Sequence, residues 1–467
     1  MLLLTGTTSA TVTSESGQLG STMRPQEYQL SFEQVAATDT LLAAPAVRDS
    51  MGGDRIGGIY LFDIASRTLA RVYEPDTSAD AGTSLSIDLN DQFGVAGNAF
   101  NSRFGFFNGA AFIFDPSTGQ TLFELEPDLT LANEFSAFGL AVAVDGATVA
   151  VGAPLGGLND PGYVSVFDAN TGQRLRSIQP PAAPDVASFG NSVAIEGDML
   201  VIGAPGAFNS GSVGRAYVYQ ISTGALVGTI EPNPSQRLTR FGDVVAISNG
   251  RIAISAPGSF GEFGADAVII YDAVTRTELR RFIDPAGLTT ASQFGAQIDL
   301  VGDALLIATV SGSPGTSRGR GNVWVYNVNT GARESVFEPA TAQFSERLGP
   351  AIALNSTAAF TTTSFFDTNS ANIRLVYEFP YTLRACPADL TTAGTNPGDP
   401  DYGAPDGSAD TADLSFFVEA WLAGSPSVAD LTTDGANPGE PGYGIANNAV
   451  TVADLAYFVE LWLGGCP

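Results

Sequence analysis

A proline returns along this chain at an almost constant interval. Pro75, Pro127, Pro180, Pro232, Pro285 and Pro339 each close a unit, and the intervals between them are 52, 53, 52, 53 and 54 residues. The clearest unit runs from Phe189 to Pro232. Phe189-Gly190 is followed 13 residues later by Gly203-Ala204-Pro205, then by a polar Gly/Ser/Asn loop, an aromatic run, a Thr223-Gly224 turn and a last segment ending in Glu231-Pro232. A fixed period of this size is the mark of a repeat architecture. Each unit holds short segments rich in Val, Ile, Tyr and Phe separated by Gly, Asn or Asp turns, which predicts four strands and no helix. A seventh unit begins near Leu348-Gly349 and ends near Pro380. Seven four-stranded units describe a β-propeller.

The copies differ in fidelity. Units three and four carry Phe138-Gly139 with Gly152-Ala153-Pro154, and Phe189-Gly190 with Gly203-Ala204-Pro205. Unit five has Phe241-Gly242 and Ser255-Ala256-Pro257, and unit six keeps Phe294-Gly295 before Ala308-Thr309-Val310. Unit one has Leu41–Pro45 in place of the Gly-Ala-Pro, unit two has Gly94–Phe100, and unit seven keeps only Gly349 and then Thr361–Thr363. These motifs resemble FG-GAP repeats, the propeller units of integrin α chains and of many bacterial exported proteins, over roughly residues 30–380. Integrin-type blades often hold calcium in an Asp-rich loop after the Gly-Ala-Pro. The loops at 155–162, 206–214 and 258–266 lack the alternating carboxylates such a site needs. The motifs are therefore expected to serve blade packing.

Composition narrows the function classes. Lys and Arg total 21 against 49 Asp and Glu, a net charge of −28, so nucleic acid and anionic membrane are poor partners. There is no histidine, which removes imidazole bases, His-based triads and His metal ligands. No run of 18 apolar residues is present, so no membrane insertion is expected. The stretch 1–17 has three leucines but no basic region before them, so export is expected by another route or from a longer precursor.

After Pro380 the chain changes character. Residues 385–467 contain acids and no base, and they hold a duplication of period 41. Asp389 matches Asp430, Tyr402 matches Tyr443, Asp413 matches Asp454, Phe417 matches Phe458 and Trp421 matches Trp462. Leu414, Phe417, Val418, Trp421 and Leu422 fall at helical spacing, so each copy is expected to end in an amphipathic helix. In the frame of an EF-hand loop, Asp389, Thr391, Asp406, Ser408 and Asp413 would supply oxygens in the first copy, with Gly407 at the sharp turn. Asp430, Thr432, Asn447, Ala449 and Asp454 would do so in the second, with Asn448 in the glycine's place. About fourteen residues loop out within each frame. Cys386 and Cys466, the two cysteines of the chain, bracket this segment, a placement that suggests a disulfide and an oxidising compartment.

Two loop–helix copies of this sort resemble a dockerin module of the Cys-bracketed kind found on bacterial exported proteins. The resemblance implies two calcium ions and a cohesin-like or cell-surface protein partner. It also implies contact through Thr411, Ala412, Val452 and Ala453 at the helix starts. The expected domains are an N-terminal segment (1–23), a seven-bladed propeller (24–380), a linker (381–385) and a small α-helical calcium-loop domain (386–467). The leading expectation is a monomeric, non-catalytic binding or scaffold protein, extracellular or on the cell surface, whose propeller presents a face to a protein or glycan. The alternatives are a propeller hydrolase or lyase acting on polysaccharide, which needs a carboxylate pair at a set separation, and a purely structural surface protein. The seventh unit lacks a fourth strand, and residues 7–13 are expected to supply one by pairing near Ile373–Phe379. The disulfide would close a loop of about 80 residues, worth roughly 4 kcal/mol. Thiol titration of the denatured, unreduced protein should find no free thiol, and two free thiols would remove the bridge.

Overall fold

The computed structural model describes residues 11–12, 17–19, 28–29, 34–49, 55–75, 85–105, 107–132, 135–157, 161–181, 187–206, 214–232, 240–257, 266–283, 293–309, 321–337, 347–366, 372–381, 417–418, 422 and 455. The fold is an all-β, seven-bladed propeller. Blades two to five are plain four-stranded antiparallel sheets in chain order. The fourth, for example, is Ser192–Glu196, Met199–Ala204, Arg215–Gln220 and Ala225–Ile230. The unit read from the sequence is therefore one blade, with the Phe-Gly ahead of the first strand and the Gly-Ala-Pro closing the second.

The chain divides into two compact units. The larger takes in Glu15–Val323 and Phe337–Pro380, and the smaller includes Trp324–Val336. Within the larger unit the first strands form a closed ring. Ala36–Ala37, Leu85–Leu89, Ala141–Asp145, Ser192–Glu196, Val245–Ser248, Gln297–Val301 and Arg347–Leu354 each touch the next, and the last returns to Ala36–Ala37. These strands line the axis. Second and third strands are buried along nearly their whole length, as in Thr148–Ala153 and Tyr163–Asp168, because blades cover both their faces. That is why they read as unbroken apolar runs. Fourth strands such as Gln120–Leu125 and Ala225–Ile230 are largely exposed and face outward.

Blades join through the two motifs. Phe138, Phe189, Phe241 and Phe294 are fully buried between sheets. The Phe forms a parallel bridge with the glycine ahead of the preceding blade's third strand, as Gly162 with Phe189 and Gly214 with Phe241. The following glycine is left-handed, with φ near +90° at Gly139, Gly190 and Gly242. Its N–H donates to the Gly-Ala-Pro glycine of its own blade, from Gly190 to Gly203 at 3.1 Å. Its carbonyl lies against the Gly-Ala-Pro glycine of the blade before. A Cβ on Gly152 would overlap the oxygen of Gly190, and one on Gly203 the oxygen of Gly242. Gly97 makes the same contact with Gly139, so the second blade keeps the junction although its motif is worn.

Ring closure differs from the expectation in register. Gly17–Leu19, not residues 7–13, pair antiparallel with Asn372–Pro380, Gly17 facing Glu378 and Leu19 facing Val376. Thr11–Val12 instead run parallel to Arg333–Phe337, the fourth strand of the sixth unit. The reason is reach. Other fourth strands sit 10 to 16 residues ahead of the next first strand, as from Leu125 to Ala141 or from Phe337 to Arg347. Leu19 lies 17 residues before Ala36, whereas Thr13 lies 23 before it. The seam is reinforced by an ion pair at 3.0 Å from Arg67 of the first blade to Glu378 of the last. Asp39 adds to it by accepting the N–H of Ser356 at 2.9 Å.

Two glycines of one blade separate crowding from backbone strain. Gly197 has φ +56° and open space around it, so Gly197→Ala should cost about 1–2 kcal/mol through the left-handed backbone alone. At Gly203 the next blade's backbone is in the way, so Gly203→Ala should cost about 3 kcal/mol or more. Chemical denaturation of the two variants measures both, and equal losses would refute the junction as described.

Candidate functional site

The axis opens at the Phe-Gly end into a cavity of about 320 Å³ lined by six blades. Polar side chains dominate its wall: Gln34, Ser86, Asn191, Arg240, Asp243 and Gln297. Most are already engaged. Ser86 donates to the carbonyl of Gly139 at 2.8 Å, and the Asn191 amide donates to the carbonyl of Asp243 at 3.0 Å. Gln34 accepts the N–H of Ile87 at 3.2 Å. Arg240 holds Asp243 through one nitrogen at 2.7 and 2.8 Å to the two oxygens. Burial raises the Asp243 carboxyl, and the neighbouring guanidinium opposes that rise. The mouth offers hydrogen bonds and one neutralised ion pair.

Deeper along the axis the seven first strands form a layer of equivalent positions. Their registers against the second strands place Ala36, Asp88, Ala143, Ala194, Ala246, Asp299 and Ala353 together. Five are alanine and two are aspartate, in blades two and six. Each aspartate serves a first strand's free edge. In the hairpin of blade three, Val144 is a non-bonded pair position, so its N–H points to the axis. Asp88 accepts that N–H at 2.8 Å and its own neighbour's, from Leu89, at 2.9 Å. Asp299 accepts the N–H of Leu354 in blade seven at 2.6 Å and that of Leu300 at 2.8 Å. The two carboxylates thus tie blade two to three and blade six to seven.

Both side chains are half-buried. Burial, the largest cause, pushes the Asp88 carboxyl up to about 7, with further rises from the charges of Asp299 and Asp145. Burial pushes Asp299 up to about 6. At the far end of the layer the same role falls to side chains that touch the next blade's turn. Asp145 accepts from Gly197, Glu196 from Asn249 and Gly250, and Ser248 from Gly302. Among the described residues no group of three or more Cys, Asp or Glu is placed to hold a metal ion.

The residues singled out from the sequence lie elsewhere. Asp389, Thr391, Asp406, Ser408, Asp413, Asp430, Thr432, Asn447, Ala449 and Asp454 are outside the described residues, as are Thr411, Ala412, Val452, Ala453, Cys386 and Cys466. Of that region Phe417, Val418, Leu422 and Leu455 are described. All four are helical, with Phe417 buried and Leu422 exposed. Asp88 and Asp299 were not anticipated. Their signal is the shared Ile-Asp-Leu of Ile87–Leu89 and Ile298–Leu300, visible once the units are aligned on strand register.

The pH dependence follows from these two groups. Their folded values stand above the ordinary aspartate value of 3.8, so the folded chain holds protons that the unfolded chain releases. Their contribution to stability is full near pH 4 and is lost as pH rises through about 6 and 7. Below about pH 4 the sense reverses, as Asp39 and Asp198, held low by hydrogen bonds from Ser356 and Ser222, take up protons. The melting temperature should therefore fall between pH 5 and 8. Asp88→Asn with Asp299→Asn should flatten most of that slope, and an unchanged slope would exclude them as its source.

Residues 182–219, within the fourth blade and its approach, match the family model described as FG-GAP repeat. No curated protein matches the chain. Among solved structures, the β-propeller domain of the Trilobed protease from Pyrococcus furiosus is similar. Its identity is 10%, it covers 76% of this chain and 95% of that one, and the TM-score is 0.48. The chain is a seven-bladed propeller with an FG-GAP repeat in its fourth blade.

Proposed function

We propose that the protein is a non-catalytic binding or scaffold protein of the cell exterior. Its propeller presents a protein- or glycan-binding face. Residues 386–467 form a dockerin-like module, folded around two calcium ions, that attaches the molecule to a cohesin-like or cell-surface partner. The observation that carries the propeller half is the state of its axial polar groups. Each of the four oxygens of Asp88 and Asp299 accepts a backbone N–H, and Asp243 is paired with Arg240. Carboxylates used in this way hold blades together rather than stand free for proton transfer, which weighs against the hydrolase or lyase alternative. FG-GAP repeats are typical of extracellular and surface proteins, and this supports the location.

The anchoring half is supported by the duplicated loop–helix pattern and the absence of any base in residues 385–467. Twelve acids without a counter-charge repel one another until cations neutralise them. Calorimetry on the full chain should detect two calcium sites, and Asp413→Ala with Asp454→Ala should remove both. In chelator the propeller transition should stay in place while a separate C-terminal transition is lost. Arginine at Thr411, Ala412, Val452 and Ala453 should abolish capture of the C-terminal partner and leave calcium binding intact. A chain that binds no calcium, or that melts identically in chelator, would end this reading of the module.

A further inference from the structure

The second blade departs from its neighbours in the loop between its second and third strands. That loop, residues 99–109, carries Phe100, Phe104 and Phe107. Phe104 packs down onto the core of Ile87, Ala96 and Phe112. Phe100 stays 43% exposed, and Phe135, from the connector into the third blade, stays 46% exposed. Phe107 lies between them. Its ring is 5.8 Å from that of Phe100, edge to face, and 5.8 Å from that of Phe135, tilted by 44°. The N–H of Leu155, also 46% exposed, donates to the carbonyl of Ser136 and extends the apolar surface. The rings form a ledge over the junction of blades two and three.

The backbone under the ledge is strained. Phe107, Phe135 and Ala137 have φ of +51°, +80° and +55°. Bulky residues rarely hold that conformation, and each instance costs about 1–2 kcal/mol. Here the cost sets aromatic rings half in water, where packing gives back little. Such strain concentrates at binding surfaces.

In and beside the same loop lie three asparagine side chains, each more than nine-tenths buried and each only partly satisfied. Asn98 and Asn101 accept the N–H of Phe100 at 3.3 Å and of Arg103 at 2.8 Å, while their Nδ2 groups have no protein partner. Asn108 donates to the carbonyl of Phe104 at 3.0 Å, and its Oδ1 has none. The hydroxyl of Ser102 is likewise unmatched. Buried amides left in this state need polar groups from outside, directly or through water. The charged residue described in the loop, Arg103, is paired with Glu124 at 3.1 Å. Among the described residues of the loop, then, the one charge is balanced, on a chain of net charge −28.

An apolar platform and unmatched amides on a strongly acidic chain fit one chemistry. We propose that the ledge of Phe100, Phe107 and Phe135 binds a neutral polysaccharide. The C–H faces of its pyranose rings stack on the phenyl rings, and its hydroxyls reach the Asn98, Asn101 and Asn108 amides through water. Neutral sugars escape repulsion from the acidic surface, whereas an apolar protein surface would cap the rings and leave the amides unmatched. This rests on the reading of the propeller as a binding module and names its site and ligand class.

Affinity electrophoresis of the full chain through gels containing xylan, galactomannan, hydroxyethyl cellulose or amylopectin tests it. At least one polymer should retard the protein, independently of salt. The variant Phe100→Ala with Phe135→Ala removes two half-exposed rings that touch Phe107 at the surface, so its melting temperature should fall by no more than a few degrees while retardation falls at least tenfold. Asn101→Asp, which places a charge in the same loop, should weaken binding as well. Retardation of wild type that survives both variants would overturn the ledge and leave a binding propeller whose site is elsewhere. No retardation by any polymer, with capture of wild type but not the double variant on a phenyl resin, would overturn the glycan in favour of an apolar protein partner. No retention on either matrix would overturn the ledge and the binding reading together.

Discussion

The contact on which this fold depends is one of absence. At each well-formed junction two glycines meet, one turning the chain into a blade and the other closing the second strand of the blade before. The left-handed φ of Gly190 lets its N–H reach Gly203 within its own blade while its carbonyl presses on Gly152. No side chain fits there. The adjoining Phe189 then fills the wedge that opens away from the axis, with Tyr217 and Tyr219 packed against its ring at 5.3 and 6.2 Å. Close approach near the axis and bulk further out are what a radial stack of twisted sheets requires. The Phe-Gly and Gly-Ala-Pro motifs encode those two demands.

The inner ring raises a different problem. Every first strand turns one edge to the axis, and unpaired backbone groups there lack a ladder. The chain meets this with side chains borrowed from the blade before. Asp145, Glu196 and Ser248 bind the next blade's turn, and Asp88 and Asp299 bind further up the strand. Alanine occupies the same layer in the other five blades, which keeps the channel narrow. Burial raises the proton affinity of both carboxyls, and the charge of Asp299 adds to the rise at Asp88, so mildly acid conditions tighten the ring.

Much of this was legible in the sequence. The period fixed the number of blades, and the spacing from Phe189-Gly190 to Gly203 fixed which segments became first and second strands. Even the worn second unit follows, because Gly97 retains the one atom-scale requirement of the motif. The clasp was legible in kind but not in register. Thr and Val content pointed to residues 7–13, while the length of connector needed to re-enter the first blade selected Gly17–Leu19. Asp88 and Asp299 escaped notice because they sit in strands four blades apart, and only the ring brings them together. The aromatic ledge was hidden for a related reason. Phe100 and Phe135 belong to different units, and the segments that carry them adopt a backbone that no periodicity announces.

The clasp also sets how the propeller would bear a load. Any pull applied through residues beyond Pro380 enters at the end of the strand Asn372–Pro380. Its partner Ala358–Phe366 runs antiparallel, so tension opens the pairs in turn, beginning with Ala358 and Pro380, as a zipper opens. The peeling front meets Gly17–Leu19 after only two positions, where Glu378, Tyr377 and Val376 are gripped from both sides. Glu378 is also the residue held by Arg67. A doubly paired stretch of the seam thus stands close to Pro380, and a force must break the clasp of the first blade before it can unravel the last.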